Sequence, residues 1–109
     1  MDITSVEIRY YQTTSESCPF QEWLDTLDTT VQQIIVTRLA RVRRGLFGDT
    51  EPVGGGVFEL KIDFGPGYRV YYAEEGSFIV ILLGGGDKDN QQKDIRKAHE
   101  RWAEYRSRP

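Results

Sequence analysis

The residues with the clearest chemical potential in this sequence are cations on two neighbouring predicted strands. Arg69 lies on one of them, and Lys61 lies on the other, two positions after Glu59. A guanidinium can grip a phosphodiester with two parallel N–H donors and stabilise the charge that grows on the non-bridging oxygens during cleavage. The competing interpretation is a cross-strand ion pair of Arg69 with Glu59 or Asp63 on a solvated sheet face, where Arg69 would contribute about 0 to 1 kcal/mol to folding.

Lys61 and Glu59 are expected to share one strand face, because side chains two positions apart point the same way. Beside an arginine, Lys61 can act as a base on a ribose 2′-hydroxyl if its pKa is lowered, or stay charged and neutralise phosphate. Glu59 can be the base instead. The simpler interpretation is a weak salt bridge between two solvent-facing charges. The sequence leaves these roles open.

Two further segments carry positive charge. Gly84-Gly-Gly-Asp-Lys88 runs from a predicted strand into a predicted helix, where free backbone N–H groups favour an anion and Lys88 would add charge; a plain turn fits equally well. Arg38, Arg41 and Arg44 follow one another at a spacing of three on a predicted helix. They can form a basic ridge for RNA or an acidic protein, or complement the carboxyl end of their own helix.

Length and composition are those of one soluble domain spanning residues 1–109. The chain is 39% hydrophobic and 28% charged, has a single cysteine and no metal-binding motif, so we expect neither an internal disulfide nor a cofactor. No apolar run approaches the roughly 20 residues of a membrane span, and the first residues do not resemble a signal peptide, so we expect a cytoplasmic protein without a membrane partner. The net charge of −3 conceals a basic surplus after residue 37.

Periodicity and turn residues predict the order β-α-α-β-β-β-α. Alternation and helical spacing place a strand near 4–12, helices at 19–27 and 28–45, a loop at 45–56, strands at 57–63, 68–74 and 77–84, and a helix at 90–106. This order predicts an α+β fold with a twisted, largely antiparallel sheet, a helical hairpin and a C-terminal helix.

Finer details of these elements are also predicted. The segment 57–84 should form three sequential antiparallel strands, and its apolar positions should face helices; they are Phe58, Leu60, Ile62, Val80 and Leu82. Asp28 should cap the second helix. Asp89 and Gln92 have the spacing of a capping box for the last helix.

Three segments together resemble the RelE/HigB superfamily of type II toxins. They are Glu59-Leu-Lys61, a glycine before Tyr68-Arg-Val-Tyr-Tyr72, and Leu82-Leu-Gly-Gly-Gly-Asp-Lys88 before a helix. The chain is most similar to the compact branch called addiction module killer proteins, from about residue 20 to residue 105. The resemblance implies a RelE-like fold, metal-independent endoribonuclease activity on mRNA, commonly in the ribosomal A site, and a small helix-turn-helix antitoxin as partner.

The resemblance also implies roles for individual residues. Arg69 matches the family's cleavage-site arginine, and Lys61 matches the second of two lysines on the preceding strand, where Glu59 replaces the first. Lys88 stands where the family often has a basic residue that holds phosphate. A catalytic aromatic further on has no counterpart, since residues 93–95 are Lys-Asp-Ile. The identity of the general base is therefore open.

Two other functions remain compatible with the sequence. A non-enzymatic toxin of the ParE type, which binds a protein such as DNA gyrase, needs no base and fits the acidic total charge and the missing aromatic. A degenerate module that keeps only antitoxin binding and operator control is the third possibility.

Overall fold

A computed structural model describes residues 5–109 as one five-stranded sheet with helices on both faces. The strands are β1 (Glu7–Tyr10), β2 (Thr50–Pro52), β3 (Val57–Ile62), β4 (Tyr68–Glu75) and β5 (Ile79–Asp87). The helices are α1 (Pro19–Asp25), α2 (Thr29–Arg43) and α3 (Gln91–Arg106), with a 3-10 turn at Lys88–Asn90. None of these helices combines the length and apolarity needed to cross a membrane. The predicted α+β fold, with its helical hairpin and C-terminal helix, is confirmed.

The sheet has the strand order β1-β5-β4-β3-β2. Neighbouring strands among β2 to β5 are antiparallel to one another, and β1 runs parallel to β5. The prediction of three sequential antiparallel strands after residue 57 is confirmed, because β3 pairs antiparallel with β4 and β4 pairs antiparallel with β5. The predicted first strand began at residue 4, which lies outside the described residues, and β1 itself is the shorter segment Glu7–Tyr10.

The prediction that the segment 45–56 is only loop is wrong. Within it, β2 pairs antiparallel with β3, with Thr50 opposite Leu60 and Pro52 opposite Phe58. Three residues are too few to show alternation, and a proline normally argues against a strand. Pro52 is tolerated because β2 is the last strand of the sheet, where one backbone N–H can be absent.

The start of α3 also differs from the prediction. Gly84, Gly85 and Gly86 belong to β5, so they form neither a turn nor an anion-binding loop. The prediction of a capping box formed by Asp89 and Gln92 is wrong as well, because the N-cap of α3 is Asn90. Instead, the Asp87 side chain accepts a hydrogen bond from the Asp89 backbone N–H at 3.0 Å and closes the 3-10 turn. The other predicted cap is confirmed, since Asp28 accepts from the Val31 N–H at 3.1 Å.

Alternation along the strands produces two hydrophobic layers, one on each face of the sheet. The layer under α1 and α2 contains the predicted strand positions Leu60, Ile62, Val80 and Leu82, packed on Phe20, Val31, Ile35, Leu39 and Val42. Phe58 is only half-buried in this layer and stacks on Tyr72, with ring centroids 5.4 Å apart. The layer under α3 contains Val57, Tyr71, Ile81, Leu83, Ala98 and Trp102. Polar side chains on the α3 face therefore lie beside this second apolar layer, where burial requires hydrogen-bond or ion-pair partners.

The glycines of β5 let side chains pack directly on the strand. A Cβ placed on Gly85 would overlap the six-membered ring of Trp23, although the backbone of Gly85 is not in the left-handed region. The requirement for glycine is therefore steric, and it fixes α1 against β5.

Gly85→Ala should lower the free energy of unfolding by about 1 to 3 kcal/mol, the usual cost of overpacking. Thermal or urea unfolding measures the change. In a Trp23→Ala background the same substitution should cost much less, because the overlapping ring is gone. An equal cost in both backgrounds would show that the contact with Trp23 is not the reason for the glycine.

Candidate functional site

Three of the predicted cations meet at one hollow on the α3 face of the sheet. The hollow has a volume of about 240 Å³, and Lys61, Arg69 and Lys88 all line it. The remaining lining residues are Asp49, Asp63 and the turn 65–67 between β3 and β4. We call this space the cationic hollow. It lies at the end of β3, where the sheet meets the start of the 3-10 turn.

Strand register explains why these cations converge. Lys61 on β3 lies directly opposite Arg69 on β4, so the two side chains share a face. Tyr68 pairs with Asp87, the last residue of β5, which carries the chain to Lys88 beside them. The backbone N–H of Lys88 also donates to the Gly67 carbonyl at 3.1 Å. The β3–β4 turn thus holds Lys88 at the hollow.

Arg69 is largely buried and is held by protein groups on one side. Its side chain is 12% exposed, and its Nε lies 3.6 Å from Oε1 of Glu59. Its Nη1 donates to the Tyr68 carbonyl at 3.1 Å, whereas the buried Nε has no hydrogen-bond acceptor among the described residues. The predicted ion pair with Glu59 exists, but it is buried rather than solvated. Arg69 keeps this ion pair and also lines the hollow.

Glu59 is the buried partner that orients this guanidinium. The residue is 5% exposed, and its Oε1 accepts a hydrogen bond from Nε2 of Gln91, the first residue of α3, at 3.0 Å. The prediction that Glu59 is a solvent-facing charge is wrong. A carboxylate enclosed between Gln91 and Arg69 is well placed to position the arginine and poorly placed to take a proton from a substrate.

Lys61 is engaged by an exposed carboxylate on the neighbouring strand. Its Nζ donates to Oε1 of Glu51 in β2. This hydrogen bond raises the pKa of Lys61 above its ordinary value and lowers the pKa of Glu51. A lysine that acts as a base needs the opposite shift. Of the two roles that the sequence left open for Lys61, the structure favours the charged one.

Arg38 supports the backbone of the hollow through hydrogen bonds to three carbonyls. Its guanidinium donates to the carbonyls of Lys61 at 2.5 Å, Phe47 at 2.9 Å and Asp49 at 3.3 Å. Burial lowers the pKa of Arg38. Arg38 therefore ties α2 to two residues that line the hollow.

The other two arginines of the predicted ridge remain exposed. Arg41 lines, together with Arg38 and Asp63, a second depression of about 460 Å³ against the end of β3, and Arg44 follows the last residue of α2. The structure does not bring either of them to the cationic hollow, and their contact with a substrate stays a prediction.

Comparisons with known proteins identify the family of the chain. A family model described as phage derived protein Gp49-like (DUF891) matches residues 22–103. The chain belongs to the Gp49-like family. This is a toxin-antitoxin-associated family related to RelE-like toxins. A protein of Haemophilus influenzae (strain ATCC 51907 / DSM 11121 / KW20 / Rd), described as an uncharacterized protein, is 46% identical over 80 residues, 72% of this chain and 81% of the relative.

Four residues of the Gp49-like site were not assigned by sequence reasoning. Glu51 is brought to the site by β2, which the sequence did not predict. Asp49 lies in the loop whose carbonyls accept hydrogen bonds from Arg38. Gln91 meets Glu59 through the packing of α3, which no local pattern encodes. Asp63 had been considered only as a partner of Arg69, whereas it lines the hollow. Within residues 5–109, His, Cys, Asp and Glu side chains form no group of three or more suited to a metal ion.

Tyr71 is the aromatic residue nearest in sequence to Arg69 on the same sheet face, and it is fully buried. Burial, followed by the charges of Glu59 and Asp94, raises the pKa of Tyr71 well above its ordinary value. Its hydroxyl has no hydrogen-bond partner among the described residues, and it does not line the cationic hollow. Tyr71 therefore does not replace the catalytic aromatic of the resembled toxins.

Proposed function

We propose that this Gp49-like chain is the toxin of a type II toxin-antitoxin system and a metal-independent endoribonuclease acting on mRNA. The observation that carries this proposal is the convergence of Lys61, Arg69 and Lys88 on one hollow. Cations from two strands and from the turn before α3 suit a phosphodiester, which carries its negative charge on non-bridging oxygens. Membership of a toxin-antitoxin-associated family supports the toxin role.

In the proposed reaction the scissile phosphate occupies the cationic hollow. The 2′-oxygen of the preceding ribose attacks phosphorus, the bond from phosphorus to the 5′-oxygen breaks, and the products carry a 2′,3′-cyclic phosphate and a 5′-hydroxyl. Arg69 stabilises the growing negative charge on the non-bridging oxygens, and Glu59 keeps its guanidinium in place. Lys61 and Lys88 contribute positive charge without giving up protons.

The proton of the 2′-hydroxyl needs an acceptor within the hollow. Asp49 and Asp63 are carboxylates that line this space, whereas Glu59 is enclosed by protein groups. We assign the proton to one of these two aspartates; water returns a proton to the 5′-oxygen.

The partners follow from the family and from the proposed reaction. A toxin-antitoxin family implies an antitoxin, and the RelE/HigB resemblance makes it a small helix-turn-helix protein encoded beside the toxin. The same resemblance makes ribosome-bound mRNA the substrate and the cytoplasm the place of action.

Brief induction of the chain should produce new 5′-hydroxyl ends inside transcripts and arrest growth, and co-expression of the neighbouring reading frame should restore growth. Mapping of transcript ends measures the cleavage. Lys61→Gln should reduce it about tenfold, because one electrostatic donor is lost at the phosphate. Lys97→Gln, which removes an exposed charge one or two turns into α3, is the matched control and should leave cleavage unchanged. Intact transcripts during full growth arrest would contradict the enzymatic proposal.

One observation favours the non-enzymatic toxin as the second candidate. Lys61 and Arg69 both have carboxylate partners, Glu51 and Glu59, which offset the positive potential at the hollow. A toxin of the ParE type would then act by binding a protein such as DNA gyrase. Induction would in that case produce DNA-damage signalling with intact transcripts. The absence of both transcript cleavage and DNA-damage signalling would indicate a degenerate antitoxin-binding module.

A further inference from the structure

A second polar depression adjoins the cationic hollow along the start of α3. It has a volume of about 510 Å³ and is lined by residues 88–93 and by Arg96. We call it the α3 groove. Its cations are Lys88, Lys93 and Arg96, and its single carboxylate is Asp89. The remaining lining side chains are amides, so no aromatic ring is present on which a base could stack.

The cations of the α3 groove lack the carboxylate partners that Lys61 and Arg69 have. Among the described residues, no carboxylate lies within ion-pair distance of Lys88, Lys93 or Arg96. Asp94, the residue after Lys93, packs against the backbone of Gly86 and lines a depression on the α1 side together with Lys93, without forming an ion pair with it. Within residues 5–109, Lys88 and Arg96 therefore have no carboxylate within ion-pair distance, and Lys93 has only the longer-range charge of Asp94 beside it, so all three can bind an anion.

The groove lies next to the cationic hollow. Lys88 lines both spaces, so a chain that leaves the hollow past Lys88 enters the groove. Gln91 lines the groove and also donates to Glu59, the carboxylate that orients Arg69. A polyanion with regularly spaced phosphates can occupy both spaces at once, whereas a single phosphate fills only one.

We propose that the α3 groove binds the single-stranded RNA that flanks the scissile phosphate. Lys93 and Arg96 hold a phosphate of a neighbouring nucleotide, and the amides of Asn90 and Gln92 contact its sugar or base edge. This inference rests on the proposed function and extends it from the reacting phosphate to the adjoining chain. Free cations in line with the hollow, together with amides that can donate and accept, favour RNA over an acidic protein segment.

The test uses a fluorescently labelled 2′-O-methyl RNA of mixed sequence, about 12 nucleotides long, which fits the usual site sizes for single strands and lacks the attacking 2′-hydroxyl. Binding to the full chain is followed by fluorescence anisotropy over a range of salt concentrations. The test variant combines Lys93→Gln with Arg96→Gln. The matched control combines Arg43→Gln with Lys97→Gln, which removes the same two kinds of exposed helical cations outside the groove.

The test variant should weaken binding about tenfold or more relative to the control, because two charge-assisted phosphate contacts are lost. Its salt slope should fall by about 1.4, since each contact to a single strand contributes about 0.7. Equal losses of RNA affinity in the test variant and the control would overturn the proposal that the α3 groove binds RNA.

A test variant that loses binding to the antitoxin while it binds RNA normally would also overturn it and would assign the groove to a protein. If the parent chain neither binds nor cleaves RNA, the proposed function itself fails, and the groove with it. If the parent binds and cleaves RNA but both variants behave alike, only the groove proposal fails.

Discussion

Replacing Arg69 by alanine is expected to remove RNA cleavage and also to destabilise the fold. Loss of a donor aimed at the developing charge on phosphorus should slow cleavage about 100- to 1000-fold, as for oxyanion-hole donors. Single-turnover cleavage of a labelled RNA measures this effect. Arg9→Ala is a suitable control, because Arg9 is exposed on β1, pairs with Glu7 and lies across the sheet from the hollow.

The effect of Arg69→Ala on folding follows from the burial of its partner. The substitution leaves the Glu59 carboxylate, which is 5% exposed, with only the hydrogen bond from Gln91. Removing one member of a buried ion pair costs about 3 to 5 kcal/mol, and the remaining hydrogen bond places this case near the lower end. The melting temperature should fall by more than about 10 °C. The small cost expected for a solvated arginine is thus revised, because the pair is not on a solvated face.

A second substitution separates catalysis from stability. Glu59→Gln combined with Arg69→Ala removes the stranded charge and keeps an amide of the same shape, so most of the lost stability should return. Cleavage should stay as low as in Arg69→Ala. If cleavage returned together with stability, Arg69 would be structural, and its place in the proposed reaction would be wrong. If stability stayed low, the Glu59 charge would not be the cause of the loss.

The fold was predictable where local chemistry and tertiary packing agree. Alternation in β3 and the Asp28 cap each specify a conformation within a few residues, and the structure confirms both. Packing of an apolar strand face against a helix then follows without knowledge of distant contacts. The same local signals placed Lys61 and Arg69 on neighbouring strands, which is the part of the candidate site that the sequence could supply.

The rest of the site depends on contacts between segments far apart in the chain. Nothing near Glu59 indicates that Gln91 will cover it, so a charged residue in an alternating strand was assigned to solvent. The three-residue strand β2, which brings Glu51 to Lys61, is stabilised by its pairing with β3 rather than by its own residues. The triglycine of β5 was ambiguous for a similar reason. Only the positions of Trp23 and Arg101 show that side chains, not an anion, occupy the space beside it.

Arg38→Ala is expected to have the second large effect, and Arg41→Ala is its matched control on the same helix. Arg38 donates three hydrogen bonds to backbone carbonyls, including those of Lys61 and Asp49, whereas Arg41 is exposed. Loss of these charged donors should lower the free energy of unfolding by about 2 to 3 kcal/mol. Arg41→Ala should stay within about 0.5 kcal/mol of the parent. Urea unfolding of the two variants gives the comparison.

The same pair of variants tells a positioning role from a role in substrate binding. If Arg38 supports the backbone of the hollow, Arg38→Ala should lower kcat for RNA cleavage even at temperatures where the variant is folded, and RNA affinity should change little. If the two arginines form a basic ridge for RNA, both substitutions should weaken binding to a similar extent and leave stability alone. The geometry favours the first pattern, because the donors of Arg38 already point at Lys61, Phe47 and Asp49. Equal effects of Arg38→Ala and Arg41→Ala on RNA affinity would reject it and restore the ridge.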